Sequence, residues 1–323
     1  MNPAQLGTCC RTCGATADAL LQNGLCAGCL LGFALQDDES AGTPDRAGEA
    51  ACTPSPSTVG RYELHGEIDR GGVGIVYRAW QSDLKREVAL KMLSEARRDD
   101  AGIRSRFLRE AELMAGLDHP AILPVFEVGE QDGVPWYTMK LAEGGSLAER
   151  LASFDGRHHE AARLVAALAR AIGYAHRRGV LHRDLKPANV VFDSAGQSMI
   201  TDFGLARHLS NDASLTGFDA LIGTPHYVAP EVVGPAAGEL TPSVDVYGLG
   251  AILYELLSGQ APFAELAPLQ LLHRIGKRQP VPPRRLRASV PPALETVCLR
   301  CLEKRPGDRY ASADALADAL EAW

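Results

Sequence analysis

The chain has 323 residues, 46% apolar and 23% charged, with a formal net charge of −7. That length allows one large domain or two smaller ones with an ample core. The acidic balance excludes the basic surface of a nucleic-acid binder, and no run of about 18 uncharged apolar residues is present to span a membrane.

MNPAQLGTCCRTCG at the N-terminus lacks a basic n-region and an apolar h-region, so the sequence predicts a cytoplasmic location. Residues 1–33 hold five of the eight cysteines. CRTC and CAGC form two C-x-x-C knuckles, and Cys10, Cys13, Cys26 and Cys29 can surround one Zn2+ tetrahedrally, like a zinc ribbon. In a reducing compartment such thiols are metal ligands more readily than disulfides. Few apolar side chains lie here, so folding of this module is expected to depend on the metal. Cys9 is a spare ligand and Cys52 a bystander. With Arg11 as the one base near the knuckles, a regulatory or protein-binding role is expected rather than nucleic-acid binding. Residues 34–60, rich in Pro, Gly, Ser, Thr and acids, read as a flexible linker.

Strand patterns follow. IDRGGVGIVYRA (Ile68–Ala79) sets three glycines between strands, either as a hairpin turn or as backbone amides that close over phosphates. GIVYRAW and REVALKML read as strands, with Lys91 on the face of Ala89. In RFLREAELMAGL, Glu110 shares a helical stripe with Phe107, Ala111 and Met114. An acid on a buried stripe wants a cation, and Lys91 is the candidate.

ARLVAALARAIGYAHRRG reads as a helix closed by Gly179. The stretch from Val180 to Ala206 then sets Asp184, Lys186, Asn189 and Asp202 among apolar strand formers, where polar groups need partners or a charged ligand. VDVYGLGAILYELLSG reads as a buried helix, and Cys298 and Cys301, lacking a second pair, as small residues of a packed one. Strands first and helices later predict an α+β protein with a sheet-rich and a helix-rich lobe.

From about Arg61 onward, VALK with Glu110, HRDLKPAN, TDFGLA and GTPHYVAPE in this order resemble the Hanks-type serine/threonine protein kinases of bacteria. The resemblance implies a bilobal protein-kinase fold over 61–323, with a β-rich N-lobe and an α-helical C-lobe, after the zinc-ribbon-like module (1–33) and linker (34–60). It implies ATP and Mg2+ (or Mn2+) as cofactors. Lys91, held by Glu110, would meet the α- and β-phosphates, and Asn189 and Asp202 would hold the metal. Asp184 would accept the proton of the attacking hydroxyl, and Lys186 would stabilise the transferring phosphoryl group. The glycine loop (Ile68, Asp69, Arg70, Gly71, Gly72, Val73, Gly74, Ile75) would cover the nucleotide. Val76, Ala89 and Val191 would sandwich adenine, beside Met139 as gatekeeper and the backbone of Lys140 and Ala142. Lys186 and GTPHYVAPE indicate serine/threonine rather than tyrosine acceptors, with Thr224 contacting Asp184 and Lys186. Glu231 would pair with Arg309, and Asp245 would anchor the catalytic loop.

One departure stands out: Asp69 replaces the first glycine of G-x-G-x-x-G. Its side chain is expected in solvent, with a penalty to nucleotide affinity and no loss of activity. Phosphorylation of Ser214 or Thr216 is expected to dock on Arg183, through autophosphorylation between two copies. The implied partners are protein substrates. The alternative is a pseudokinase-type nucleotide-binding scaffold.

Overall fold

Six strands build the first lobe: β1 (Thr58–Val59), β2 (Tyr62–Arg70), β3 (Gly74–Gln81), β4 (Arg86–Leu93), β5 (Val125–Gln131) and β6 (Val134–Met139). They form one antiparallel sheet in the order β1-β2-β3-β4-β6-β5. The computed structural model describes residues 58–71, 73–203, 225–233, 240–266, 270–271 and 274–323.

The sheet begins at Thr58, inside the stretch read from composition as linker. The reason is the Gln131 side chain, whose Oε1 accepts from the Gly60 N–H (2.7 Å) and whose amide donates to the Thr58 carbonyl (3.2 Å). Tyr62 and Arg61 likewise donate to Glu127 at 2.5 and 2.6 Å. These side chains draw the sheet's two ends together, so it curls. At Gly74 a Cβ would lie 2.5 Å from the Met92 carbonyl oxygen, so β3 approaches β4 there only as glycine.

Helix α1 (Ala101–Ala115) starts where the Asp100 carboxylate accepts from the Ile103 N–H at 2.9 Å. Its buried residues are Phe107, Glu110, Ala111 and Met114, the stripe expected from periodicity, and they face β5 and β6.

The second lobe is helical: α2 (Leu147–Arg150), α3 (His158–His176), α4 (Pro230–Val233), α5 (Ser243–Ser258), α6 (Pro283–Leu286), α7 (Pro292–Cys301) and α8 (Ala313–Glu321). The hairpin β7 (Val190–Phe192) and β8 (Ser198–Ile200) completes it. Alanines on α3 let α5 and α8 pack closely against it. α5 is buried almost throughout and stops at Gly259, whose φ of +83° suits glycine. Cys298 and Cys301 are packed core residues of α7, as expected, and burial pushes the Cys301 thiol up to about 12. Glu231 receives two bonds from Arg309 (2.6 and 2.8 Å), itself 2% exposed. Among the described residues no helix is long and apolar enough to cross a membrane.

Candidate active site

Sheet register brings the first group together. Lys91 on β4 lies opposite Val76 on β3 and Tyr137 on β6, while Ala89 lies opposite Met139. These side chains therefore share one face of the sheet. On that face the Lys91 ammonium stands 3.1 Å from Glu110 Oε1 and 2.5 Å from Asp202 Oδ1. Burial opposes the charge of Lys91, but the neighbouring Asp202 and Glu110 hold its pKa well above the ordinary value. Asp202 is the closer partner: burial opposes its charge, yet Lys91 holds its carboxyl below the usual range. Glu110 is pushed up by burial, against the pull of Lys91.

A second group sits on the loop between α3 and β7. Lys186 Nζ donates to Asp184 Oδ2 at 2.9 Å, and Asn189 Nδ2 donates to the Asp184 carbonyl (2.8 Å) and to Oδ2 (3.2 Å). The loop is hung from the first turn of α5. There the Asp245 carboxylate, 1% exposed, accepts from the backbone N–H groups of His182 (2.8 Å) and Arg183 (2.7 Å) and from His176 Nε2 (2.7 Å). His182 donates from Nε2 to the Thr201 carbonyl (3.0 Å) and packs its ring at a tilt against Phe203, 4.7 Å between centroids, tying this loop to the segment after β8 that carries Asp202. Arg183 and Asp202 hold φ of +67° and +56°, a conformation that non-glycine residues adopt only when their surroundings impose it.

The residues expected around adenine are partly brought together. Val73, Ile75, Val76, Ala142 and Val191 are half-buried against the core, and Ala89 and Met139 are buried. Gly144 and Gly145 are stitched to Phe192 by backbone bonds of 2.8 and 2.9 Å, which sets the crossing between lobes beside Val191. Lys140 donates its N–H to the Pro124 carbonyl at 3.1 Å, so of its two backbone groups the carbonyl remains for a purine. Ile68, Asp69 and Arg70 lie exposed on β2. The Asp69 Oδ1 accepts from the Arg70 N–H at 2.8 Å, and the Gly71 N–H closes the loop onto the Gly74 carbonyl at 2.9 Å. The Asp69 carboxylate is thus solvated, where its charge is well screened.

Asn189 donates its amide nitrogen to Asp184, and among the described residues its Oδ1 and the Asp202 Oδ2 accept no hydrogen bond. Two hard oxygen donors suit a cation such as magnesium that takes further ligands from phosphates and water. Among the described residues no three His, Cys, Asp or Glu side chains cluster as a metal site. Gly72, Thr224, Ser214, Thr216 and the zinc candidates Cys10, Cys13, Cys26 and Cys29 lie outside the described residues.

Sequence reasoning missed Tyr137, whose hydroxyl donates to Glu110 Oε1 at 3.1 Å, and His176, the third partner of Asp245. A hydroxyl within the apolar strand VPWYTM was the available signal for the first.

The sequence matches the protein kinase domain family over residues 62–320. It is 36% identical to the serine/threonine-protein kinase PknB of Mycolicibacterium smegmatis over 78% of this chain and 41% of that protein. It is 39% identical to the DNA damage-responsive serine/threonine-protein kinase RqkA of Deinococcus radiodurans over 82% of this chain and 40% of that protein. The chain thus spans about two fifths of the length of the curated relatives it matches. The crystal structure of the Mycobacterium tuberculosis PknI kinase domain superposes with a TM-score of 0.65 at 30% identity, covering 84% of this chain and 99% of that one. With Lys91 between two carboxylates, Asp184 beside Lys186 and Asn189, and a family match across both lobes, this chain belongs to the protein kinase domain family.

Proposed function

We propose that this protein transfers the γ-phosphoryl group of Mg-ATP to serine or threonine hydroxyls of protein substrates. The observation that carries the reading is the Lys91–Glu110 ion pair, which phosphoryl transfer by kinases requires, set beside Asp202. Lys91 neutralises and places the nucleotide phosphates. Asp184 takes the proton of the acceptor hydroxyl, and Lys186, 2.9 Å from the Asp184 carboxylate, offsets charge on the transferring group. Asn189 and Asp202 would hold magnesium, which when bound would neutralise charge at the phosphates. Asp69 is tolerated because its carboxylate is turned to solvent. No observation favours a scaffold that binds nucleotide without transfer. Incubation with γ-labelled ATP tests the reading, through label on serine or threonine that Asp184→Asn removes.

The reading extends to regulation. The Nε and Nη1 of Arg183 are buried without a hydrogen-bond partner among the described residues, which supports a role in receiving phosphate on Ser214 or Thr216. Transient pairing of two copies would deliver one loop to the other's Asp184. Mass spectrometry after incubation with Mg-ATP is expected to find phosphate between residues 204 and 224. Its absence from an active preparation would remove this part of the reading.

The four N-terminal cysteines are read as a zinc site. Two C-x-x-C knuckles in one short stretch support it, and thiolate ligands and ATP both suit a reducing cytoplasmic compartment. The purified full chain is expected to carry one zinc per molecule by metal analysis, and Cys10→Ser with Cys13→Ser to carry essentially none. Wild-type protein free of zinc would refute it.

A further inference from the structure

Glu110 Oε1 accepts twice: from the Lys91 ammonium and, also at 3.1 Å, from the Tyr137 hydroxyl. Tyr137 is fully buried in the middle of β6, a strand paired on both sides, by β4 and β5. Its ring lies 5.1 Å from Phe107, one turn before Glu110 on α1, and the Lys91 ammonium lies 5.7 Å from the ring centroid. One rigid side chain therefore touches the helix, its carboxylate and the cation that carboxylate pairs with.

A lysine–carboxylate pair alone fixes a helix poorly, because the lysine stem is long and its ammonium presents three rotatable donors. Tyrosine has two side-chain torsions, and its ring is clamped in the sheet. We propose that Tyr137 is a positioning residue, whose hydroxyl locks α1 in the rotation that keeps Glu110 on Lys91. The inference rests on the kinase reading above and deepens it. The lysine–glutamate pair must be in place for transfer, so the lock biases the enzyme toward its competent arrangement before any phosphate is added to the loop. A hydrogen bond to a buried carboxylate is worth about a tenfold bias, and it is lost without disturbing the ring in Tyr137→Phe.

The lock also has a pH signature. The hydroxyl donates to ionised Glu110 and favours that form, opposing the burial that favours the protonated one. The groups facing Glu110 are Lys91 from β4, Tyr137 from β6 and Asp202 beyond β8. Packed against the same helix, β5 brings Glu130, which is paired with Arg104, and Glu127, which is paired with Arg61. Without the hydroxyl, Glu110 takes up its proton at higher pH and Lys91 loses this partner sooner as pH falls.

The experiment measures kcat/KM for ATP from pH 5 to 9, and ATP affinity by calorimetry across the same range. It compares wild type, Tyr137→Phe, Glu110→Gln and the double variant, with melting temperatures as a check on folding. Tyr137→Phe should melt within a few degrees of wild type. Its acid limb, in both kcat/KM and affinity, should move up by about one pH unit, with about a tenfold loss below neutrality. In the Glu110→Gln background, which lacks the titrating carboxylate, Tyr137→Phe should add no shift and less than a twofold loss. An unmoved acid limb, or the same loss in both backgrounds, would overturn the lock and leave Tyr137 as packing. If the protein transfers no phosphate, even with acidic replacements at Ser214 and Thr216, the kinase reading fails, and calorimetry still decides the lock: a shifted affinity profile retains it and an unchanged one rejects it.

Discussion

Asp184→Asn is expected to lower phosphoryl transfer by about 10²- to 10⁴-fold, the usual contribution of a positioned general base. Binding of ATP should persist. Asn is nearly isosteric and can still accept from Lys186, which lies 2.9 Å from Oδ2. The backbone bond from the Asp184 N–H to His182 Nδ1 (3.3 Å) does not involve the side chain at all. What the amide cannot do is take a proton from an acceptor hydroxyl. Lys91, the buried Ala89 and Met139, and Val76 belong to the other lobe and are untouched. Single-turnover kinetics and calorimetric ATP binding separate the two effects. Transfer within tenfold of wild type would assign the base elsewhere.

Asp245→Ala should do the most damage to folding. Its carboxylate serves three donors, two of them backbone N–H groups, and is 1% exposed. Alanine leaves these donors buried and unmatched, beside His176, at a cost of about 3–5 kcal/mol. In a domain of this size that lowers the melting temperature by roughly 6–15 °C. The loop it holds carries Asp184, so transfer should fall as well, although Asp245 touches no reacting atom.

The same residue predicts a pH dependence. Burial opposes its charge, but the bond from His176 and the backbone N–H of Arg183 hold its pKa below the ordinary carboxylate value. A depressed folded-state pKa stabilises the fold above the unfolded value, and that contribution is lost as pH falls through the folded one. Urea unfolding of wild type should therefore weaken steadily on the acid side of the ordinary aspartate range. Asp245→Ala should start lower at neutral pH and fall by less. Equal acid losses in both would show that other carboxylates dominate.

Much of the site was legible because polar residues stood out against periodic apolar ones. Glu110 was read from its place on the stripe of Phe107, Ala111 and Met114, and the helix buries that stripe. Lys91 was read from the period of a strand. Tyr137 escaped because all six residues of VPWYTM are buried, so alternation gives no inward or outward face to read. Its acceptor lies on a helix 27 residues away. The start of the sheet escaped for a similar reason. β1 has two residues in a Ser/Thr/Pro context, and a glutamine side chain 73 residues later holds it in place. The Lys140 N–H is taken by the chain's return past Pro124, which leaves the carbonyl of the same residue for the expected adenine contact. Such long-range pairings are decided by tertiary packing, which local pattern does not encode.

Phosphoryl transfer is followed by label from γ-labelled Mg-ATP onto the protein itself and onto a generic basic protein, in wild type and Asp202→Ala. Asp202 supplies both the closer partner of Lys91, at 2.5 Å, and an oxygen for the metal, so its loss should abolish the signal. Label is expected on serine and threonine with wild type and none above background with the variant. A wild type that binds ATP yet labels nothing, even with acidic replacements at Ser214 and Thr216, would contradict the proposed transfer.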